Sequence, residues 1–596
     1  MKLCFDIEAD NLLPKISKFH CAGAIDIRTG KEYWFRPGEH KEFLKLLDEA
    51  ETIIAHNALG YDVPALTKLF GWKPKAKVMC TKVMSQLLNY RRFGFGHSLK
   101  LWGEHLNDNK GDYKGGFEKF NEDMFVYMQQ DVRLLVKVYH KLVKEAKEKA
   151  SEEDGHKIFD ALRSEMDMEA VMAEQCHNGW QFNVSEAKVL LKKIETKMKE
   201  CEKLINPHLG MKVKAHDTKP KELKFTKPGR YHSHVYRWFD LDPSSGVHDK
   251  PIWGDYSRVS YVVGDIGNTN TVKQYLYTIG WKPDEWNWKK VNGQFIKVSP
   301  KLTDSSLEGL GNVGEALMEY YTLRSRHSII KGWFEYVDEN SRLHGDVFNI
   351  GTPTFRQTHK IIANLPSGKA YLGPEIRGLF GVRKGYKLVS ADSAACQLRL
   401  LAHFMEDPEF TKEVLEGDIH QKNADILGCD RPTAKPFIFA FLYGAGGKKL
   451  GSILNVSERE GNKQKKTFTN AYPKLKSLIE EVQTKVEENG VIKGLDKRPI
   501  HVESTHKALN YLIQGAEAVV MKYTVNMIHR ELEAAGLDTS ILLFYHDEVT
   551  YEVRDDQAEQ AREIIMRCFE EAPKELGVDI MTCGDCNIGN DYYEVH

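Results

Sequence analysis

The sequence predicts a multidomain α/β protein. Three observations lead there. Strand-like runs alternate with helical patterns over residues 1–155, long helices with apolar residues at helical spacing fill 157–205, and after 301 helices lie between two strand-like runs that end in acids. At roughly 100–200 residues per domain, 596 residues make about three to five domains or subdomains. Hydrophobic residues at 41% and charged residues at 28% exclude a wholly disordered chain, a collagen and a disulfide mini-protein. The 84 Lys+Arg nearly cancel the 85 Asp+Glu, so a polyanionic partner would have to meet basic residues segregated into a groove. The apolar run Phe437 to Ala445 is far short of the ~20 residues needed to span a bilayer, so no membrane partner is expected. Acids at Asp6 and Glu8 stand where a signal peptide needs an apolar core. Ten scattered cysteines fit a reducing, cytoplasmic setting. Cys583 and Cys586 form a lone CxxC without the second pair a zinc site needs, and are read as plain thiols.

The elements follow in order. A strand is expected from Lys2 to Ile7 and a second apolar run from Thr52 to His56, then helices over Lys82 to Leu88 and Asp123 to Lys144. The helices of 157–205 break at His177-Asn178-Gly179. Residues 206–300 are rich in Pro, Gly, Lys and aromatics. Between Met211 and Tyr231 stand Lys212, Lys214, Lys219, Lys221, Lys224, Lys227 and Arg230 against Asp217 and Glu222, which reads as a solvated insertion or as a flap for nucleic acid or a partner. The runs Lys387 to Asp392 and Ile541 to Glu548 both deliver carboxylates from strand ends, a rigid way to place a metal ligand.

Asp6 and Glu8 are two apart on a strand and share a face. Paired carboxylates repel unless a cation or proton joins them. Asp62 follows the second strand, and Tyr127 and Asp131 are four apart on one helix face. Four carboxylates could converge on two hard cations about 4 Å apart, which stabilise the attacking and leaving oxygens of a phosphoryl displacement, with the phenol orienting a water. In this order, Phe5-Asp6-Ile7-Glu8, His56-Asn57-Ala58-Leu59-Gly60-Tyr61-Asp62 and Tyr127-Met-Gln-Gln-Asp131 resemble the three motifs of the DnaQ-like (RNase H-like) 3′→5′ proofreading exonuclease domain.

Arg431, Lys435, Phe439 and Tyr443 are each four apart and make a stripe about 18 Å long on a helix. Two cations followed by two rings suit a nucleotide, and His420 could add a phosphate contact. Arg431-Pro-Thr-Ala-Lys435-Pro-Phe-Ile-Phe439-Ala-Phe-Leu-Tyr443-Gly444 resembles motif B of the family A (Pol I-like) DNA polymerases. Asp392-Ser-Ala-Ala-Cys-Gln-Leu-Arg399 looks like motif A and His546-Asp547-Glu548 like motif C, in the family's order. Leu401-Ala-His-Phe-Met405, Gly417-Asp-Ile-His-Gln-Lys-Asn423 and Phe441-Leu-Tyr-Gly-Ala-Gly446 look most like the T-seven phage branch.

The resemblance implies a right-hand polymerase behind the exonuclease domain. It divides the chain into an exonuclease domain at 1–155, a thumb at 156–340 with a basic irregular insertion at about 206–270, palm at 341–415 and 491–596, and fingers at 416–490. It implies two Mg²⁺ ions in each active site, with Mn²⁺ as the alternative ion. Asp392, Ser393 and Asp547 would hold those of the polymerase, supported by Glu548. Asp6, Glu8, Asp62 and Asp131 would hold those of the exonuclease. Arg431, Lys435 and His420 would bind the triphosphate, with Lys435 as general acid. Phe439 would pack on the sugar, and Tyr443 would guard the templating-base position. Arg356, His359, Asn510, Gln514 and His546 look like contacts to primer-template DNA, which need only the minor-groove acceptors common to every correct pair. The tail Gly589 to His596 resembles the family's end near the palm. Primer-template DNA and dNTPs are the implied partners of a monomeric replicase. In the T-seven branch a thumb insertion binds thioredoxin as a processivity clamp; the basic segment lies in a similar place with little evident similarity, so a partner, a self-sufficient clamp and a mere insertion stay open.

Three departures set further expectations. Gln397 stands where motif A carries Glu, which keeps size but loses charge, so sugar discrimination should be normal to modestly weakened. Phe439 replaces a Tyr, which should disfavour dideoxynucleotides. Pro436 suggests that the motif B helix begins near Thr433 or bends there. Asp6 at the N-terminus leaves no room for a preceding 5′-nuclease domain, which favours phage genome replication. A repair-type polymerase of the same fold, and an exonuclease on a polymerase-dead scaffold, are the competing readings.

Overall fold

The computed structural model describes all residues except 14, 109–112, 153–155, 216–258, 292–293 and 363. Most of the basic segment of 206–270 therefore lies outside the described residues. The chain forms two compact units, Met1–Asn183 with Tyr336–His596, and Val184–Glu335. Among the described residues no helix is long and apolar enough to cross a membrane.

The first unit opens with a five-stranded sheet. Strands β1 (Lys2–Ala9), β2 (Phe19–Asp26), β3 (Glu32–Phe35), β4 (Thr52–Ala55) and β5 (Lys77–Cys80) lie in the order β3-β2-β1-β4-β5. β1 is antiparallel to β2 and parallel to β4, and pairing with β4 stops at Cys4↔Ile54. Beyond that point β1 runs on alone on this side, carrying Asp6 and Glu8 past the end of β4. The helix α1 (Asp62–Phe70) starts after β4, and α2 (Glu122–Ala150) packs across β1 and β2. The Asn121 side chain caps α2 by accepting from the Met124 amide at 2.8 Å. The helix is longer at both ends than its apolar pattern suggests.

A second sheet of the same unit contains β6 (Tyr386–Ser393), β7 (Thr539–Tyr545), β8 (Glu548–Arg554) and β9 (Cys583–Gly589), all antiparallel, in the order β7-β8-β6-β9. Val549, Tyr551 and Val553 face a core that Met168, Met172, Met521, Val525 and Ile528 share. These come from the helices α3 (Lys157–Asn178) and, after α4 (Cys396–Met405) and α5 (Arg431–Leu442), α6 (Ala508–Ala534). The run read from Ile541 to Glu548 is not one strand. It turns at His546, whose φ is 59°, and Glu548 begins the returning strand.

A buried ionic cluster ties α3 to α6. Glu165 accepts from Lys522 Nζ at 2.8 Å and from Arg498, whose guanidinium also meets Asp496 at 2.6 Å. Asn349 Nδ2 completes the Glu165 carboxylate at 2.8 Å. Burial pushes the Lys522 ammonium down to about 8. Charges this deep hold only when all are matched, and losing one partner of such a set costs about 3–5 kcal/mol.

The second unit is built on the helices Val184–Ile205, Thr269–Thr278 and Gly311–Trp333, around a core of Ile205, Ile266, Leu276, Trp281 and Leu317. It also holds two-stranded pairings of Met211–Ala215 with Val259–Val263 and of Trp286–Val291 with Gln294–Pro300. The helix Lys157–Asn178, grouped by sequence with 156–340, lies in the first unit.

Candidate functional site

Two carboxylate sites stand in the first unit. In the first, a cleft of about 520 Å³ is lined by Asp6, Glu8, Asp62, Tyr127 and Asp131, with His56, Asn57, Lys82 and His97 on its walls. Asp6, Glu8 and Asp131 each offer an oxygen within 4.8 Å of the others. The strand period puts Asp6 and Glu8 on one face, and α2 crossing that face brings Asp131. Asp62 opens α1, where a helix N-terminus favours an anion. It is buried, and its Oδ1 meets no hydrogen-bond donor among the described residues. Burial pushes its carboxyl up to about 7, against the opposing pull of the Ile7 amide. An oxygen-only donor set fits a hard divalent cation better than a soft one.

The wall is fixed by polar ties. His56 bonds Thr81 Oγ1 at 2.9 Å and the His97 carbonyl at 2.8 Å through its two ring nitrogens. Asn57 takes a φ of 75°, and Lys82 Nζ donates to its Oδ1 at 2.9 Å. Lys82 is a cation in an acidic cleft that the sequence did not single out.

In the second site, β6 and β8 pair Asp392 with Glu548, and the turn before β8 carries Asp547. The Ser393 amide donates to the Asp547 carbonyl at 3.0 Å, so the end of β6 is stitched to that turn. Burial, then the charge of Glu517, and also Asp392, push the Asp547 carboxyl up to about 6. Asp392 is also raised, chiefly by burial. Its Oδ1 accepts from the Asp585 amide at 2.9 Å, and a side chain at Gly584 would run into that oxygen. Glu548 lies in a ring of donors: Ser390 and Thr550 at 3.2 Å, Tyr592 at 3.0 Å, and His596 at 3.5 Å. Cys583 and Cys586 are free thiols.

The helix α5 begins at Arg431, earlier than expected, because Asp430 caps it by accepting from the Thr433 amide at 2.9 Å. Pro436 lies inside it, and Tyr443 ends it as the C-cap. Arg431 Nε binds Asp418 at 2.7 Å, and the His420 and Phe439 rings lie 6.4 Å apart. Burial, then Lys435 and Arg431, lower the His420 imidazole, which places His420 with both cations. Gln397 Nε2 reaches the Tyr443 hydroxyl at 3.2 Å.

Arg356 pairs with Glu517, and His359 Nε2 meets the Phe544 carbonyl at 2.8 Å, its ring 5.0 Å from Tyr545. The His546 ring lies 4.2 Å from Tyr545, and burial pushes both imidazoles down to about 4. Asn510 and Gln514 are half-buried on α6, one turn apart. Glu517, three residues on, was not singled out by sequence. The turn-spacing from Asn510 and Gln514 was the signal that could have found it. Ala363, beside Asn364, lies outside the described residues.

The comparisons with known proteins agree with this layout. The family model described as DNA polymerase family A matches residues 266–594, more than half of the chain. The sequence is 28% identical to the DNA-directed DNA polymerase of Enterobacteria phage T3, over 96% of this chain and 97% of that protein. It is also 28% identical to the DNA-directed DNA polymerase of Escherichia phage T7, over 96% of each. Among solved structures, the POL domain of Pol1 from M. smegmatis, in complex with DNA primer-template and dNTP, matches with a TM-score of 0.74 at 15% identity, over 97% of this chain and 94% of that one, so the fold is shared. With its carboxylate-bearing sheet and its cation-and-ring helix inside the matched range, this chain belongs to DNA polymerase family A.

Proposed function

We propose that this family A DNA-directed DNA polymerase adds dNTPs to a primer 3′ end at Asp392 and Asp547 and removes them, 3′→5′, at Asp6, Glu8, Asp62 and Asp131. The observation that carries the reading is the presence of two separate oxygen-only carboxylate sites, one at the tips of β6 and the β7–β8 turn, the other where β1 runs past β4. Mg²⁺ at these residues would supply Lewis acidity toward the primer hydroxyl and triphosphate in one site and toward an attacking water in the other.

The side chains divide the remaining work. Arg431, Lys435 and His420 bind the triphosphate, and Lys435 delivers a proton to the departing pyrophosphate. Phe439 packs on the sugar. Tyr443, held by Gln397, covers the templating position. Arg356, His359, Asn510, Gln514 and His546 follow the primer-template minor groove, so that pairing rather than protein contacts selects the base. The Ser393 backbone and Glu548 support the Asp392–Asp547 pair. Tyr127 orients the water of the hydrolytic site. In this reading 1–155 is the exonuclease domain, 156–340 the thumb, 341–415 and 491–596 the palm, and 416–490 the fingers. Near-full coverage of the two phage polymerases supports genome replication over repair.

The test is extension of a labelled primer on a single-stranded template with Mg²⁺, with and without dNTPs. The native protein should extend with dNTPs and degrade without them. Asp547→Ala should abolish extension alone, and Asp6→Ala degradation alone. Degradation without extension under every condition would reject the polymerase half.

A further inference from the structure

We propose that Glu517 is a positioning residue of the polymerase site, acting with Gln397 as an amide–carboxylate latch that sets both Tyr443 and Arg356. This rests on the polymerase reading above. Glu517 lies on α6 seven residues after Asn510 and three after Gln514, so the three share one stripe of the helix. Its side chain is 3% exposed. A carboxylate this buried is tolerated only with matched donors. It has two from different elements: the Arg356 guanidinium, from the loop before the Thr358–Lys360 strand, and the Gln397 amide of α4 at 2.9 Å. The same Gln397 nitrogen reaches the Tyr443 hydroxyl at the end of α5, at 3.2 Å.

The chemistry fixes the direction of every link. A carboxylate can only accept, so the amide nitrogen of Gln397 must face Glu517. That nitrogen is then also the one presented to Tyr443. The Gln397 Oε1 is left buried, with no donor among the described residues, and cannot exchange places with the nitrogen. One charge thus orients a ring on the nucleotide helix and a cation on the template-side loop. A bare structural salt bridge would need only Arg356. The further link through Gln397 to a half-exposed phenol extends beyond the core, and its natural consequence is to fix the pocket against the incoming sugar and base.

The Gln397–Glu517 contact needs one amide and one carboxylate in either order, whereas Arg356 needs the carboxylate at 517. Glu517→Gln removes the charge that Arg356 matches. Gln397→Glu sets two carboxylates in contact. The double variant Gln397→Glu/Glu517→Gln restores one of each. The experiment measures single-nucleotide incorporation by the full chain, with dNTP and with rNTP, together with Tm. Each single variant should lose about tenfold or more in kcat/KM for the dNTP, chiefly through KM, and shift the rNTP/dNTP ratio. The double variant, with the amide–carboxylate contact restored but Arg356 unmatched, should lose clearly less than the product of the two single losses. Native protein that does not extend rejects the polymerase reading itself. Native extension with inert single variants, or with losses that merely multiply in the double variant, overturns the latch. If every variant at 397 and 517 unfolds, Tyr443→Phe decides: its ring is 46% exposed and its fold is safe. A shifted rNTP/dNTP ratio in Tyr443→Phe upholds the latch, and an unchanged ratio overturns it.

Discussion

The Tyr592 hydroxyl donates to Glu548 Oε2 at 3.0 Å, and the His596 ring, stacked on Tyr592 at 5.2 Å, reaches the same oxygen at 3.5 Å. The last residues of the sequence therefore hold the acid next to Asp547. Tyr592→Phe keeps the ring, its contact with Trp180 and its Arg377 guanidinium, and deletes one donor to a buried carboxylate. A hydrogen bond to a charged group is worth about 1.5–3 kcal/mol. The expected outcome is a roughly tenfold slower incorporation step with unchanged degradation of single-stranded DNA. Equal incorporation rates would show Glu548 to be indifferent to the tail.

Asp62 gives a pH signature in the metal-free protein. Burial pushes its folded carboxyl up to about 7, well above the ordinary carboxylate range. The folded form thus holds a proton that the unfolded chain has released. The stability tied to that proton is complete below about pH 4 and is lost as pH rises through 7. Asn at 62 has no such titration. The stability gain of Asp62→Asn over native, followed by thermal unfolding in EDTA, should grow from pH 5 to pH 7.5, by an amount on the order of 2 kcal/mol. A gain that is flat with pH contradicts it. Degradation should disappear in the same variant.

Pro436 is exposed inside α5 and withholds a backbone donor from the turn before it. An interior proline costs a helix about 3 kcal/mol. Because the site is exposed, Pro436→Ala gives up no core packing. Its unfolding midpoint in denaturant should rise, by about 1–3 kcal/mol in stability. A lowered midpoint would mean that the Pro436 ring itself stabilises the folded helix.

Phe439→Tyr places a hydroxyl at the ring expected to meet the sugar. One hydrogen bond is worth about 0.5–1.5 kcal/mol, so dideoxynucleotide use relative to dNTP should rise by up to about tenfold. Termination ladders on one template measure it, and an unchanged ratio would remove Phe439 from the sugar contact.

Local order was largely legible in the sequence. The period-2 rule set Asp6 and Glu8 on one face, and the four-residue spacing of Arg431, Lys435, Phe439 and Tyr443 needed no tertiary information. What sequence missed depends on chain reversal or on distant partners. The run Ile541 to Glu548 reads as one strand because its residues are all strand formers up to the acids. The reversal rests on a positive φ at His546, a conformation that stays uncommon even though histidine is enriched in it. The CxxC drew attention to its sulfurs, whereas the pair between them meets Asp392: Gly584 makes the room and the Asp585 amide donates. Glu517 is marked in the sequence only by its helix-turn spacing from Asn510 and Gln514, because its partners are 161 and 120 residues away. Helix α5 begins at Arg431 because Asp430 caps it, whereas Pro436 alone points to a later start.

The strands on either side of the second unit are neighbours. Trp180 pairs with Leu343 and Gln181 with Arg342, so the chain leaves the first unit at Asn183 and re-enters it at Tyr336 through one antiparallel gate. A segment hung between adjacent strands is, topologically, a cassette. Its length can change with little cost beyond loop closure, which grows only with the logarithm of the number of residues. A change of length within residues 184–335 can therefore be taken up between these two strands without altering the pairing of Trp180 with Leu343 or of Gln181 with Arg342.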